Sequence, residues 1–179
     1  MVSTRFLVTL VGLLLAVAGC SGRDAAYESQ LKPIVAAYGQ AVQDLSRAEA
    51  GPFVHEDSTA LCYARFSDRL EGLRQQAEKL PPPKGGSKSL QAEFLVLLEE
   101  GRLMAQGLST DYLGLLIDPL LVEDQARMVS EWEQRVRLAR RQFVAGHKTF
   151  AAGDAARLGL GLSEIGDAIP VDKLVASIK

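Results

Sequence analysis

Few side chains that commonly bind metals occur in this 179-residue chain, which has two histidines and two cysteines. A di-iron helical bundle requires a glutamate three residues before each histidine, but Pro52 holds that position for His55 and Val144 holds it for His147. The Cys-x-x-Cys-His motif of covalent haem is also missing. Two acidic residues follow His55 directly, yet adjacent residues of one loop rarely surround a metal ion. We predict no metal site and no cofactor.

No group of residues predicts a catalytic nucleophile. The segment Gly161-Leu162-Ser163-Glu164-Ile165-Gly166 is similar to a nucleophile elbow, but its spacing is G-x-S-x-x-G instead of G-x-S-x-G. No strand is predicted before Ser163, and no histidine follows it. Glycines 159, 161 and 166 likewise lack the strand that a phosphate-binding turn requires. We therefore predict that the protein is not an enzyme.

Two further side chains are assigned structural roles. His147 precedes Lys148 near the end of a long predicted helix, where a cation interacts favourably with the helix dipole. Cys62 lies one residue before an apolar stripe, and two interpretations of it remain open. It is either a buried thiol that packs as a small hydrophobe or the partner in an intermolecular disulfide of an oxidising compartment.

The N-terminal sequence MVSTRFLVTLVGLLLAVAGC has the three-part layout of an export signal. Arg5 precedes an apolar run from Phe6 to Val17, and two small residues follow the run. A membrane-spanning helix needs about 18 or more apolar residues, so this run favours export over a transmembrane anchor.

The end of that segment, Val17-Ala18-Gly19-Cys20, resembles the lipobox of bacterial lipoproteins. The resemblance covers residues 1–20 only. It implies attachment of diacylglycerol to the Cys20 thiol and cleavage between Gly19 and Cys20. In this family, Ser21 after the cysteine permits sorting to the outer membrane of hosts with two membranes. The alternative is ordinary signal cleavage near Gly19, with Cys20 as an incidental thiol.

The elements that position these residues are four predicted amphipathic helices. In each, apolar positions recur at alternating spacings of three and four, which places one stripe on one helix face. The stripes are Tyr27, Leu31, Ile34, Tyr38, Ala41, Leu45 and Ala48; Tyr63, Phe66, Leu70, Leu73, Ala77 and Leu80; Leu90, Phe94, Leu97, Gly101, Met104 and Leu108; and Val122, Gln125, Val129, Trp132, Val136, Ala139, Phe143, Gly146 and Phe150. Gly101 lies on its stripe, so a neighbouring backbone is expected to approach closely there.

Capping residues and helix breakers predict the ends of the first two helices. Asp24 is expected to cap the first helix, and Gly51-Pro52 ends it. Asp57 or Ser58 is expected to cap the second helix. The segment Pro81–Ser89, with three consecutive prolines and two glycines, predicts a linker between helices; docking of this proline run to an aromatic groove is the alternative.

The boundaries of the later helices are less regular. A break is predicted near Ser109–Asp111, and Asp118-Pro119 predicts a restart. Gly153 is expected to end the fourth helix as its C′ residue. Beyond it, Leu158, Leu162 and Ile165 fit one short helix, and residues 171–178 fit another.

The charges of the fourth helix are sorted along its length. Acidic residues come first and basic residues later: Glu123, Asp124, Glu131 and Glu133, then Arg135, Arg137, Arg140 and Arg141. This order complements the helix dipole and forms i,i+4 pairs, so we expect a solvated face. A basic end that meets anionic lipid headgroups or an acidic partner is the alternative. Trp132 belongs to the stripe and is expected in the core.

Together these patterns predict an all-α protein, an antiparallel up-down four-helix bundle with a short, partly helical C-terminal tail. The expected organisation is a cleaved signal peptide over 1–19, a lipidated tether over 20–23, the bundle over 24–153 and the tail over 154–179. With 20 basic and 22 acidic residues, the chain has no electrostatic basis for binding nucleic acid.

The expected function is non-catalytic binding or scaffolding at the bacterial cell envelope, through a membrane anchor on Cys20. The partner would be an envelope protein or a small ligand. The protein would face the periplasm from the outer membrane, or lie on the outer face of the plasma membrane in a host without an outer membrane. The alternative is a carrier of an apolar ligand or of non-covalent haem in the bundle core, with Met104 or Met128 as a soft ligand.

Overall fold

The computed structural model describes residues 23–50, 56–113 and 122–166, and these form an all-α bundle of four long helices. The helices are α1 (Ala25–Ala50), α2 (Glu56–Glu78), α3 (Ser87–Gln106) and α4 (Val122–Phe150). A π-helical turn extends α3 over Gly107–Asp111, and another extends α4 over Ala151–Ala155. Within the described residues, no helix has the length and apolar character needed to cross a bilayer. The predicted signal peptide, Cys20 and Asp118-Pro119 lie outside them.

Contacts between the helices show an up-down-up-down arrangement. Contacts between neighbouring helices advance along one helix as they move back along the other. The pairs are Glu49–Tyr63 and Asp44–Arg69 for α1 and α2, Ala77–Gln91 for α2 and α3, Gly107–Trp132 and Phe94–Phe150 for α3 and α4, and Tyr38–His147 and Glu49–Arg140 for α1 and α4. The antiparallel four-helix prediction is thereby confirmed.

The predicted stripes form the core. Their buried members include Tyr38, Leu70, Phe94 and Phe143, none of which exposes measurable surface. Phe94 stacks on Phe150 with ring centroids 5.3 Å apart and meets the edge of Tyr38 at 5.8 Å. Burial of each large apolar side chain stabilises the fold by about 1.5–3 kcal/mol, so the stripes hold the four helices together.

The first two helix starts differ in how well they match prediction. The Asp24 side chain accepts a hydrogen bond from the Tyr27 backbone N–H at 3.1 Å, which confirms Asp24 as the N-cap of α1. For α2 the prediction was wrong, because the helix begins at Glu56 and already includes Asp57 and Ser58. The third helix begins at Ser87, before the predicted first stripe residue Leu90.

The predicted break near Ser109 is a local widening of the helix instead. The backbone stays helical through Leu113, with one π-helical turn over Gly107–Asp111. The Ser109 hydroxyl donates to the Ala105 carbonyl at 2.8 Å and keeps this polar side chain satisfied in the core. Glycine and serine lower helix propensity here, but packing of Leu108 and Tyr112 in the core keeps the segment helical.

Gly101 lies in the core as predicted, but side chains rather than a backbone approach it. A Cβ atom at this position would lie 2.6 Å from Leu70 Cδ1 and 2.7 Å from Phe143 Cε2. The absence of a side chain at Gly101 therefore makes room for two residues of the neighbouring helices α2 and α4.

The fourth helix ends later than predicted. It continues through Gly153 and the π-helical turn to Arg157, and Gly159 adopts a positive φ of 72°. The Leu160 N–H bonds the Ala155 carbonyl and the Gly159 N–H bonds the Ala156 carbonyl, both at 2.9 Å. These two bonds are those of a Schellman C-cap, so Gly159 is the C′ residue and the expectation for Gly153 was wrong.

The residues after Gly159 are not helical. From Leu160 to Gly166 the chain is irregular, so the predicted short helix through Leu162 and Ile165 is absent from this part; residues 171–178 lie outside the described residues. We call Gly159–Gly166 the tail segment. It packs along α1 so closely that a Cβ at Gly39 would lie 2.8 Å from Leu162 Cδ2. Ile165 is buried, which explains the apolar spacing without a helix.

Candidate functional site

The start of α1 is fastened to the rest of the bundle. The Arg23 guanidinium donates to Glu28, with an Nη2–Oε2 distance of 2.7 Å, and Nη2 also reaches the Arg157 carbonyl at 3.5 Å. Its backbone forms an isolated β-bridge with Gly85 in the α2–α3 connector. We call this end of the bundle, where α1 starts, α4 ends and the connector crosses, the tether end. Only Ser21 and Gly22 separate Arg23 from Cys20.

A small polar network strengthens the tether end. The buried Ser87 hydroxyl accepts the Asp24 backbone N–H at 3.0 Å and lies 3.2 Å from Glu28 Oε1, to which it donates. The second carboxylate oxygen of Asp24 accepts the Lys84 backbone N–H at 3.3 Å. The first helix, the connector and the third helix are thus joined at the point where the chain would leave toward Cys20.

Arg140 is completely buried, which contradicts its prediction as part of a solvated face. Its guanidinium donates to Glu49 Oε1 and Oε2, both at 2.8 Å. Two further bonds run to the Gly166 carbonyl, from Nε at 3.1 Å and from Nη2 at 2.8 Å. The planar guanidinium therefore joins α4, α1 and the tail segment through one side chain.

Glu49 also accepts a hydrogen bond from the Tyr63 hydroxyl at 2.7 Å, which brings α2 into the same network. Burial, followed by the negative charge of Glu49, raises the pKa of Tyr63 well above its usual range. The phenol therefore stays a donor, and the carboxylate is matched by one cation and one neutral donor. The cluster Glu49, Tyr63 and Arg140 has the features of a structural network, since every polar group has a partner within it.

His147 is buried at the α1–α4 contact, so it does not act as an exposed cation at the helix end. Its Nε2 lies 2.9 Å from the Ser163 carbonyl, which can only accept, so Nε2 carries the hydrogen. Nδ1 then accepts the Tyr38 hydroxyl at 2.7 Å. Burial lowers the pKa of His147, opposed by the hydrogen bond to Ser163. The neutral imidazole is the form that fits.

The other candidate residues are dispersed. The Ser163 side chain is exposed, and only its backbone carbonyl meets His147. Cys62 is half-buried against the core, and burial raises the pKa of its thiol, which lowers its reactivity. Its two interpretations both remain predictions. His55 lies outside the described residues, among which no group of three or more His, Cys, Asp and Glu is placed to hold a metal.

The two methionines considered as haem ligands lie at different levels of the bundle. Met104 of α3 is buried, with its sulfur 3.8 Å from Arg140 Nη1, whereas Met128 is 36% exposed near the start of α4. Trp132 is 1% exposed, which confirms its place in the core. Its indole N–H donates to the Gly107 carbonyl at 2.7 Å, at the start of the π-helical turn of α3.

An open groove lies between α3 and α4 on the bundle surface. It is lined by Ala92, Glu93, Val96, Leu97, Glu100, Gly146, Thr149 and Phe150. Val96 is 58% exposed there. Burial raises the pKa of both Glu93 and Glu100, and nearby Asp154 adds to the effect at Glu93. The groove therefore presents an apolar surface bordered by two carboxyl groups.

Comparison with known proteins found no matching family model, no similar curated protein and no similar solved structure.

Proposed function

We propose that this protein is a membrane-tethered helical lipoprotein that binds or scaffolds at the bacterial cell envelope without catalysis. The observation that carries the proposal is the sequence Val17-Ala18-Gly19-Cys20, which directly follows an apolar run and is separated by two residues from Arg23, where the chain is fastened to the bundle. Each buried methylene of an acyl chain contributes about 0.8 kcal/mol to membrane binding, so two or three chains on Cys20 make a lasting anchor.

The buried polar side chains support a structural rather than catalytic use of the interior. Arg140 and His147 have reactive groups, but both are bonded to other helices and to the tail segment. The length of the tether supports action near the bilayer, since Ser21 and Gly22 alone separate the anchor from Arg23. A rigid helical body held close to the membrane suits a binding or scaffolding role.

The test is the Cys20→Ala variant expressed in a bacterial host. We expect an uncleaved or mis-sorted precursor without fatty acid, because no other side chain in the lipobox forms the thioether. Cys62→Ala is the matched control and should be lipidated and cleaved normally. Intact-mass measurement of the membrane fraction checks both variants. A mature wild-type product with an unmodified Cys20 would contradict the proposal.

The groove between α3 and α4 favours a second candidate, a carrier of an apolar ligand. Val96, Leu97 and Phe150 line it, and no partner from another element covers the exposed Val96 in the described part of the chain. Native mass spectrometry and absorbance of the purified protein distinguish the candidates. A stoichiometric bound mass or a Soret band would favour the carrier and contradict a purely scaffolding role.

A further inference from the structure

Three lysines surround the α2–α3 connector at the tether end. Lys79 follows the last residue of α2, Lys84 lies in the connector and Lys88 lies in the first turn of α3. We call them the connector lysines. All three side chains are exposed, and within the described part of the chain none of the three ammonium groups has an ion pair or hydrogen bond. Their positive charges are therefore available to a partner.

Three acidic residues that contact the connector or adjoin it in the sequence already have partners. Glu28 binds Arg23 at 2.7 Å, and Glu78 binds Arg74 at 2.6 Å. Asp24 accepts two backbone N–H groups, from Tyr27 and Lys84. Arg74 also binds Glu71 at 2.8 Å, so four carboxylates lie beside five cations, which are Arg23, Arg74 and the three connector lysines. The surface of the connector therefore keeps an excess of positive charge, and that charge is on the exposed lysines.

The connector also lies beside the predicted anchor. Gly85 forms the β-bridge with Arg23, and the Lys84 N–H bonds the Asp24 side chain. A chain of Ser21 and Gly22 then leads to Cys20. Electrostatic attraction extends over about 8 Å at physiological ionic strength. The three residues from Cys20 to Arg23 span at most about 11 Å. A lipid chain on Cys20 would therefore keep the connector near the headgroups, at a distance comparable to the range of this attraction.

We infer that the connector lysines Lys79, Lys84 and Lys88 contact anionic phospholipid headgroups and hold the tether end of the bundle against the membrane. The inference rests on the proposed lipid attachment at Cys20. The chemistry is that of juxtamembrane basic segments, in which lysine ammonium groups near the surface are attracted by phosphate charge.

The arginines of α4 fit this role less well than the connector lysines. Arg140 is buried, and Arg137 is paired with Glu133 at 2.8 Å. Both lie many residues before Arg157, whose carbonyl marks the tether end. The membrane-facing cations in this inference therefore come from the connector and the helix ends beside it, not from the run of arginines in α4.

The experiment is amine labelling of the lipidated mature protein in vesicles. The protein is reconstituted in phosphatidylcholine alone and in phosphatidylcholine containing phosphatidylglycerol, and acetylation of each lysine is followed by mass spectrometry. We expect labelling of the connector lysines to slow roughly threefold or more with phosphatidylglycerol, as the attraction per lysine implies. Lys148, exposed on α4 about 13 Å of helix rise before Arg157, is the internal control and should not change.

Salt and a charge-reversal variant complete the test. High salt should restore labelling, and Lys84→Glu with Lys88→Glu should leave Lys79 labelled equally in both vesicles. Equal labelling of wild-type protein in both vesicles overturns the inference but leaves the proposed lipid attachment at Cys20 unaffected. A protein whose mass shows no fatty acid overturns the proposed function, and with it the inference. Slowing at Lys148 equal to that of the connector lysines also overturns the inference, because it would show no preferred face.

Discussion

The Arg140 guanidinium binds both carboxylate oxygens of Glu49 at 2.8 Å and so connects α4 to α1 across the bundle. The arginine side chain is 1% exposed and that of the glutamate 14%. A two-point pair of this kind contributes geometric specificity, because the planar guanidinium and carboxylate fit in one orientation only. Its loss would leave a charged carboxylate nearly enclosed by protein.

Arg140→Met should strongly destabilise the bundle. Breaking a buried ion pair from one side costs about 3–5 kcal/mol, because the remaining charge lacks compensation. Arg137→Ala is the matched control, since its pair with Glu133 is on the surface and contributes about 1 kcal/mol or less. Urea midpoints from helical circular dichroism, in a chain that starts at Ser21, measure the difference. Similar midpoints for the two variants would mean that Arg140 is solvated in solution.

Trp132→Ala should also destabilise the protein, by about 3–5 kcal/mol, because it removes a large buried side chain. Trp132→Phe keeps most of the apolar volume and loses the hydrogen bond to Gly107, so its cost should be nearer 1–2 kcal/mol. The same urea experiment orders the three proteins, and Arg137→Ala again serves as the surface control. If Trp132→Ala unfolded at the wild-type midpoint, Trp132 would face solvent or a partner.

Two glycines on facing helices should respond to alanine in opposite directions. At Gly101 the new methyl group would meet Leu70 and Phe143 below 3 Å, and overpacking of this kind costs about 1–3 kcal/mol. At Gly72, within α2, nothing lies within 4 Å of the added atom, so higher helix propensity should stabilise by about 0.5–1 kcal/mol. Thermal unfolding of both variants checks the signs. A stabilising Gly101→Ala would rule out this packing of α2, α3 and α4.

The stability of the protein should fall as the pH drops below about 6.5, the usual pKa of histidine. Burial lowers the pKa of His147 in the fold, so the unfolded chain binds its proton more readily. The stabilisation is therefore complete at neutral pH and is lost as the pH falls from about 6.5 to the folded-state pKa. Unfolding free energies measured from pH 7.5 to pH 5 by urea titration test this.

One substitution isolates the histidine contribution. His147→Gln should flatten the decline between pH 7 and pH 5 relative to the wild-type protein. The raised pKa values of Glu93 and Glu100 act in the opposite direction but are present in both proteins, so the comparison removes them. An unchanged slope in His147→Gln would show that His147 is not the group responsible.

The bundle could be predicted because its stripes are regular. Alternating spacings of three and four identify buried positions such as Tyr38, Leu70 and Trp132 without any knowledge of their neighbours. The end of α4 was missed because two glycines compete for it. Gly153 has the right identity, but the Schellman hydrogen bonds form around Gly159. Glycine type alone does not reveal which position adopts a positive φ.

The buried polar residues were missed for a different reason. Arg140 follows Val136 by four residues and precedes Phe143 by three, so the spacing already allowed an inward position. Charge favoured the opposite prediction, because arginine is rarely buried without a partner. That partner, Glu49, is 91 residues away along the chain, beyond the reach of any local pattern. His147 was misplaced by the same reasoning, with Tyr38 as its distant partner.

The tail segment is held by main-chain atoms. Arg140 and His147 donate to the carbonyl oxygens of Gly166 and Ser163, and every residue type offers a carbonyl oxygen. The side chains that dock this segment therefore belong to the helices, while positions 163 and 166 are free to vary in side chain. A tail of altered sequence would dock in the same place as long as apolar residues still occupied positions 160, 162 and 165, so the exposed face of the tail segment can diverge without loosening the bundle.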